Sequence, residues 1–84
     1  MLIREEKQKT EEVVMDYDAQ MRHLTLAEFD IAMGLEHIQE QWETIITLER
    51  DGYDTKTAYQ LLETLLETQA IHEENREIIL SRMR

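Results

Sequence analysis

Proline is absent from this sequence of 84 residues, and its only glycines are Gly34 and Gly52. These two residue types interrupt helices most strongly, so little in the chain would stop a helix once it has begun. Apolar residues recur at a spacing near 3.6 residues in each third of the sequence, which is the pattern of amphipathic α-helices. The sequence therefore predicts an all-α protein that forms one small domain over residues 1–84.

Local helix signals divide the chain into three predicted helices. Thr25-Leu26-Ala27-Glu28 fits a capping box, in which the first and last side chains satisfy free N–H groups at the start of a helix. Asp51-Gly52 is typical of a helix end, and Asp54 or Thr55 could then cap the next helix. The helices predicted from these signals span 3–22, 26–50 and 55–82. A single unbroken helix across 20–30 is the competing interpretation.

The short link at 51–54 predicts that the second and third helices form an antiparallel hairpin. We expect the first helix to cross this hairpin or lie along it, and residues 1–12, which carry few apolar side chains, to fray. A chain this short has a thin margin of stability as a monomer. We therefore expect two copies to pair into a helical-bundle homodimer.

The second predicted helix has apolar side chains on two sides. Its main apolar stripe, expected to be core, contains Ile31, Leu35, Ile38, Trp42, Ile45 and Ile46. Leu26, Phe29 and Met33 lie on nearly the opposite side. Either the first helix covers this second group or a partner protein does, in which case Phe29 and Met33 are the expected apolar anchors.

The apolar face of the third predicted helix is interrupted by Gln69, His72 and Arg76. Buried polar side chains need partners, because an unpaired polar group costs about 1–3 kcal/mol. In one interpretation the charged end of Arg76 extends to solvent and His72 finds a carboxylate or a backbone oxygen. In the other, the three side chains form a polar layer that fixes the register of an oligomer, or a contact site for a partner. In the second interpretation they form the oligomer contact together with Ile71 and Ile78.

No pattern of catalytic or metal-binding residues appears in the sequence. Cysteine is absent, Ser81 is the only serine, and no glycine-rich loop is present to bind phosphate. The Glu-x-x-His pairs of diiron bundles are missing, and His72-Glu73 lacks the second histidine of a metalloprotease motif. We therefore expect no catalytic residues, no metal, no cofactor and no enzymatic activity.

Acidic residues dominate the charge, with 19 Asp and Glu against 9 Lys and Arg, for a formal net charge of −10. This balance argues against direct binding to nucleic acid. No Lys or Arg occurs within 23–49 or 57–75. The acidic side chains expected to contact a basic protein surface are Glu36, Glu40, Glu43, Glu63 and Glu67. The other interpretation is that these residues only keep the protein soluble.

In composition the chain resembles phage-encoded inhibitors of host nucleic-acid machinery, including restriction and CRISPR effectors, which are also small, acidic and helical. That resemblance implies that acidic faces block a nucleic-acid-binding or defence protein. We thus predict a non-enzymatic protein that occupies a partner's surface. The alternative is a homo-oligomeric structural module or a small subunit of a larger complex. Without an apolar run long enough to span a membrane, and with a polar start, we expect a cytoplasmic protein.

Overall fold

The structure is a computed structural model that describes the backbone of residues 2–84 and the side chains of residues 16–84. Helix α1 spans Leu2–Arg50 and helix α2 spans Lys56–Met83. The two helices pack against each other as an antiparallel hairpin. The predicted all-α fold is therefore confirmed over this part of the chain, as is the helical hairpin.

The predicted break between a first and a second helix is wrong, because α1 continues through residues 23–25 without interruption. The Thr25 hydroxyl donates a hydrogen bond to the carbonyl oxygen of Met21, 3.0 Å away and one turn earlier in the same helix. Threonine makes such bonds inside helices. The capping-box pattern at 25–28 therefore does not start a helix here, and the competing interpretation of one helix across 20–30 is correct.

Because 3–22 and 26–50 belong to one helix, the expected packing of a first helix on the hairpin does not occur. The first helix therefore does not cover the apolar group of Leu26, Phe29 and Met33 in the way the sequence allowed. The predicted fraying of residues 1–12 falls outside the side chains that the structure describes.

The turn between the helices forms as the sequence predicts. Gly52 adopts a φ of 76°, the left-handed conformation that glycine tolerates best. Its N–H donates to the carbonyl of Glu49 at 3.2 Å, and the N–H of Tyr53 donates to the carbonyl of Leu48 at 2.9 Å. These two bonds make the Schellman motif that ends many helices. At the start of α2, the Asp54 carboxylate accepts a 3.0 Å hydrogen bond from the Lys56 N–H.

Residues at alternating spacings of three and four form the seam between the helices, and all of them are buried or half-buried. This spacing is the heptad repeat of a coiled coil. On α1 the seam consists of Gln20, Leu24, Ala27, Ile31, Gly34, Ile38, Gln41, Ile45 and Leu48. On α2 it consists of Thr55, Ala58, Leu62, Leu65, Gln69, His72, Arg76, Ile79 and Met83. The repeat runs through residues 20–34 without a change of phase, which is why α1 continues where a break was predicted.

The hairpin is long and exposes much of its surface. Its dimensions are 75 × 17 × 14 Å, and its radius of gyration is 20.8 Å, against about 12 Å for a compact domain of this length. The accessible surface is 7072 Å², whereas a compact monomer of this mass exposes about 5,300 Å². The buried apolar side chains within residues 16–84 are Ala27, Ile45, Leu62 and Ile79. Two helices alone therefore enclose only a small core.

Candidate interaction surface

Two glutamine side chains fix the register of the hairpin. The Gln41 amide on α1 donates to the carbonyl of Ala58 at 2.8 Å, and the Gln69 amide on α2 donates to the carbonyl of Ile31 at 2.9 Å. Each carbonyl can accept this bond because an oxygen has two lone pairs, only one of which the helix uses. The bonds lie several turns apart, so a shift of one helix along the other would break both.

Gln69 reaches Ile31 across Gly34. Its side chain is only 5% exposed, and a Cβ atom added to Gly34 would lie 2.9 Å from Gln69 Cδ and closer still to Oε1. Oε1 itself is buried and has no hydrogen-bond partner within the described residues. Gln69 stands out in the sequence as a polar residue on an apolar face, whereas the role of Gly34 becomes visible only from the register that brings the two residues together.

The three polar residues predicted to interrupt the apolar face of α2 all lie in the seam within one chain. His72 and Arg76 are half-buried. Arg76 Nη2 lies 3.4 Å from Glu77 Oε1, while its buried Nε has no partner within the described residues. Of the three, Gln69 is the one whose side chain bonds to α1. Ile71 and Ile78 lie outside the seam and are 64% and 45% exposed.

A shallow groove of about 180 Å³ lies beside the Gly34–Gln69 contact. Its lining comprises Asp30, Met33, Gly34, His37, Leu65, Thr68, Gln69 and His72. Small-molecule sites are usually larger, at about 300–1,000 Å³. Within residues 16–84, no three His, Asp or Glu side chains come close enough together to hold a metal ion.

One face of α1 unites five of the residues predicted to contact a partner. We call it the outer face of α1, and it consists of Phe29, Met33, Glu36, Glu40 and Glu43. Their spacing of four, three, four and three residues makes a continuous row along α1, in which Met33 lies at the edge of the groove beside Gly34. Phe29 is 61% exposed, Met33 is half-buried and the three glutamates are exposed. The ion pairs within residues 16–84 are Arg50–Asp51 and Arg76–Glu77, so none involves this face.

The other two predicted contact residues, Glu63 and Glu67, lie on α2 and are also exposed. They fall between seam positions on the side of α2 that points away from α1. In a two-helix hairpin the outward sides of the helices point in opposite directions. The structure therefore separates Glu63 and Glu67 from the outer face of α1.

Trp42, which the sequence analysis assigned to the core, lies at the edge of the seam and is 43% exposed. Its ring meets the ring of Tyr59 on α2 edge to face, with 6.2 Å between centroids and 87° between planes. The Tyr59 hydroxyl donates a 2.6 Å hydrogen bond to Glu49 Oε1. This bond to Glu49, aided by desolvation and the nearby negative charge, raises the pKa of Tyr59 above its ordinary value of 10.0.

Beside the seam, α1 carries a second row of residues with the same spacing, which the sequence analysis did not separate from the core. We call it the α1 stripe, and it consists of Ala32, Leu35, Gln39, Trp42 and Ile46. It contains no charged residue. Leu35 is 55% exposed and Ile46 is 59% exposed. The stripe could have been recognised in the sequence by its heptad spacing. Each of its residues follows directly after a seam residue, in the order Ile31, Gly34, Ile38, Gln41 and Ile45.

Over the part of the chain that the structure describes, neither helix contains a segment long and apolar enough to cross a membrane. Comparison with models of known protein families, with curated proteins and with solved structures finds no match to this chain.

Proposed function

We propose that this chain is a non-enzymatic interaction protein that occupies the surface of a protein partner through the outer face of α1. One observation carries the proposal: the exposed Phe29 and the half-buried Met33 lie in one row of α1 with the exposed Glu36, Glu40 and Glu43. An exposed aromatic anchor next to charged groups is the composition of many protein-binding surfaces.

The partner that fits this face has a basic surface. No Lys or Arg lies between residues 23 and 49 to neutralise the glutamates locally, so their field extends toward an approaching protein. Opposite charges on the two proteins raise the rate of association and favour one orientation. In this proposal Glu63 and Glu67, which point the other way, add to the long-range attraction but not to the direct contact.

A nucleic-acid-binding or defence protein is the kind of partner we propose, with this chain as its inhibitor of phage type. Glu36, Glu40 and Glu43 follow one another along the axis of α1, which rises by about 1.5 Å per residue. Their carboxylates therefore form a line of negative charges, as the phosphates of a nucleic-acid strand do. A row of carboxylates that occupies the basic channel of such a protein would exclude its nucleic acid.

The test is a pull-down from lysate of the source cells, followed by identification of the retained protein. We expect wild type to retain one basic protein that elutes as salt rises from about 50 to 500 mM, because screening weakens exposed charge pairs. The triple substitution Glu36→Lys, Glu40→Lys and Glu43→Lys should lose it. The matched control, Glu63→Lys with Glu67→Lys, should keep it. Equal loss from both variants, or from neither, would contradict a contact through the outer face of α1.

A second candidate function is a homo-oligomeric assembly module, or a small subunit of a larger complex. The observation that favours it is that many large apolar side chains are exposed. Among them are Ile71, which is 64% exposed, and Ile78, which is 45% exposed. The predicted homodimer belongs to this candidate, with Ile71 and Ile78 as its expected contact. Substitution of both by Asp should then dissociate it, and an unchanged mass by light scattering would exclude this contact.

A further inference from the structure

We propose that a second copy of this chain packs on the α1 stripe, so that two hairpins complete a four-helix bundle. The proposal rests on the second candidate function, the homo-oligomeric module. It places the contact between the two copies on α1 instead of at Ile71 and Ile78. It is independent of the outer face of α1, which lies on another side of the same helix.

The spacing of the stripe is the first argument. A helix that meets one partner in a two-stranded coiled coil needs apolar residues only along one seam, whereas a helix in a bundle carries a wider apolar face. On α1 the seam is filled by α2, yet Leu35, Trp42 and Ile46 repeat the same spacing beside it. One third of the residues in the chain are charged, but none of those in the stripe is.

Residues of α2 widen the stripe into a face. The edge-to-face contact between Trp42 and Tyr59 places Tyr59 beside the stripe, on the same side of the hairpin. Leu66 lies two turns further along that side of α2 and is 48% exposed, and the exposed Glu63 lies beside both residues. Both helices of one hairpin therefore present apolar side chains in the same direction, as two hairpins stacked into a bundle require.

The chain as a whole exposes more surface than a compact monomer of the same mass. The chain exposes 7072 Å², about 1,800 Å² more than a compact monomer of its mass. A standard protein interface removes about 800 Å² from each partner. The large side chains that a second hairpin would cover on this face are Leu35, Trp42, Ile46, Tyr59 and Leu66, which are 42–59% exposed, and the outer face of α1 would stay free.

The order of residues along the stripe suits a second copy running in the opposite direction. With the two-fold axis at Gln39, the small Ala32 of one copy meets the larger Ile46 of the other, and Leu35 meets the region of Trp42. Beyond the stripe, Glu28 and Arg50 lie equally far from Gln39 on either side. The same axis therefore places the carboxylate of one copy near the guanidinium of the other at both ends.

The test uses the full chain and its single tryptophan. Wild type should have twice the monomer mass of 10.1 kDa by sedimentation equilibrium, and Trp42 should become protected from acrylamide quenching as concentration rises. Leu35→Gln with Ile46→Gln should weaken dimerisation at least about 100-fold, because these apolar side chains would no longer be buried. The helical circular dichroism signal should remain, since both side chains lie outside the seam.

The matched control is Leu26→Gln with Phe29→Gln, since both residues are 61% exposed on another side of α1. This variant should dimerise like wild type. A wild-type monomer at every concentration, a dimer whose Trp42 remains open to the quencher, or dissociation by Ile71→Asp with Ile78→Asp alone would overturn the proposal. Because none of these measurements involves Glu36, Glu40 or Glu43, failure here would leave the proposed binding of a basic partner standing.

Discussion

Gly34 on α1 and Gln69 on α2 occupy the same position in the hairpin, and the side chain of one fills the space left by the other. Gln69 donates a 2.9 Å hydrogen bond to the carbonyl of Ile31, and a Cβ at Gly34 would collide with the Gln69 amide. A glycine inside a helix costs about 1 kcal/mol relative to alanine. The cost is unavoidable here, because any larger residue at position 34 would displace the buried Gln69 amide that fixes the register.

The first prediction follows from this contact. Gly34→Ala should lower the free energy of unfolding by about 1 kcal/mol, because displacing the Gln69 amide loses a buried hydrogen bond and outweighs the gain in helix propensity. In a Gln69→Ala background the same substitution should raise it by about 1 kcal/mol, since no side chain is left to displace. Urea denaturation of the four proteins measures both effects. The same sign in both backgrounds would contradict the contact.

The second prediction concerns the place where the sequence wrongly indicated a helix start. Thr25→Ala should change the free energy of unfolding by less than about 0.5 kcal/mol, because Thr25 lies inside α1 and its hydroxyl bonds one turn back. Asp54→Ala should lower it by about 1 kcal/mol, since Asp54 accepts the N–H of Lys56 at the start of α2. Thermal unfolding by circular dichroism compares the two. A larger loss for Thr25→Ala than for Asp54→Ala would indicate that α1 is two helices.

The third prediction concerns pH. The hydrogen bond to Glu49 raises the pKa of Tyr59 above 10.0, so the folded chain holds this proton more tightly than the unfolded chain does. The resulting stabilisation is fully present below pH 10 and is lost as pH rises through the raised pKa. Glu49→Gln removes the carboxylate, and we expect Tyr59 to titrate at a lower pH in this variant.

The phenolate absorbance of the three tyrosines, with Tyr59→Phe to identify the Tyr59 signal, would follow this titration. Glu43→Gln is the control, because Glu43 belongs to the outer face of α1 and lies away from Tyr59. A Tyr59 titration that is unaffected by Glu49→Gln would mean that the hydrogen bond does not form in solution.

The parts of the fold that depend on local chemistry could be predicted from the sequence. Gly52 ends α1 because a left-handed residue is needed there, and that need is visible in the neighbouring residues. The capping-box pattern at 25–28 is also local, but it gave a wrong prediction. Whether such a pattern starts a helix depends on the residues packed around it. The uninterrupted seam from Gln20 to Leu48 decided in favour of one helix.

The candidate surfaces were predictable only where they lie on a single helix. Phe29, Met33 and three glutamates were selected from α1 alone, and the structure keeps them in one row. Glu63 and Glu67 were added from α2 without knowledge of which way that helix would face. Trp42 was assigned to the core because periodicity cannot distinguish the seam that α2 fills from the adjacent stripe that it leaves open.

The two glutamine bonds also limit how this protein can move. In some conformational switches one element moves past another by a helical turn. Here a heptad shift would bring Leu62 or Arg76 beside Gly34 and would detach Gln41 from Ala58. Within the described part of the hairpin, sliding of one helix along the other would therefore break both glutamine bonds and leave their buried groups unpaired.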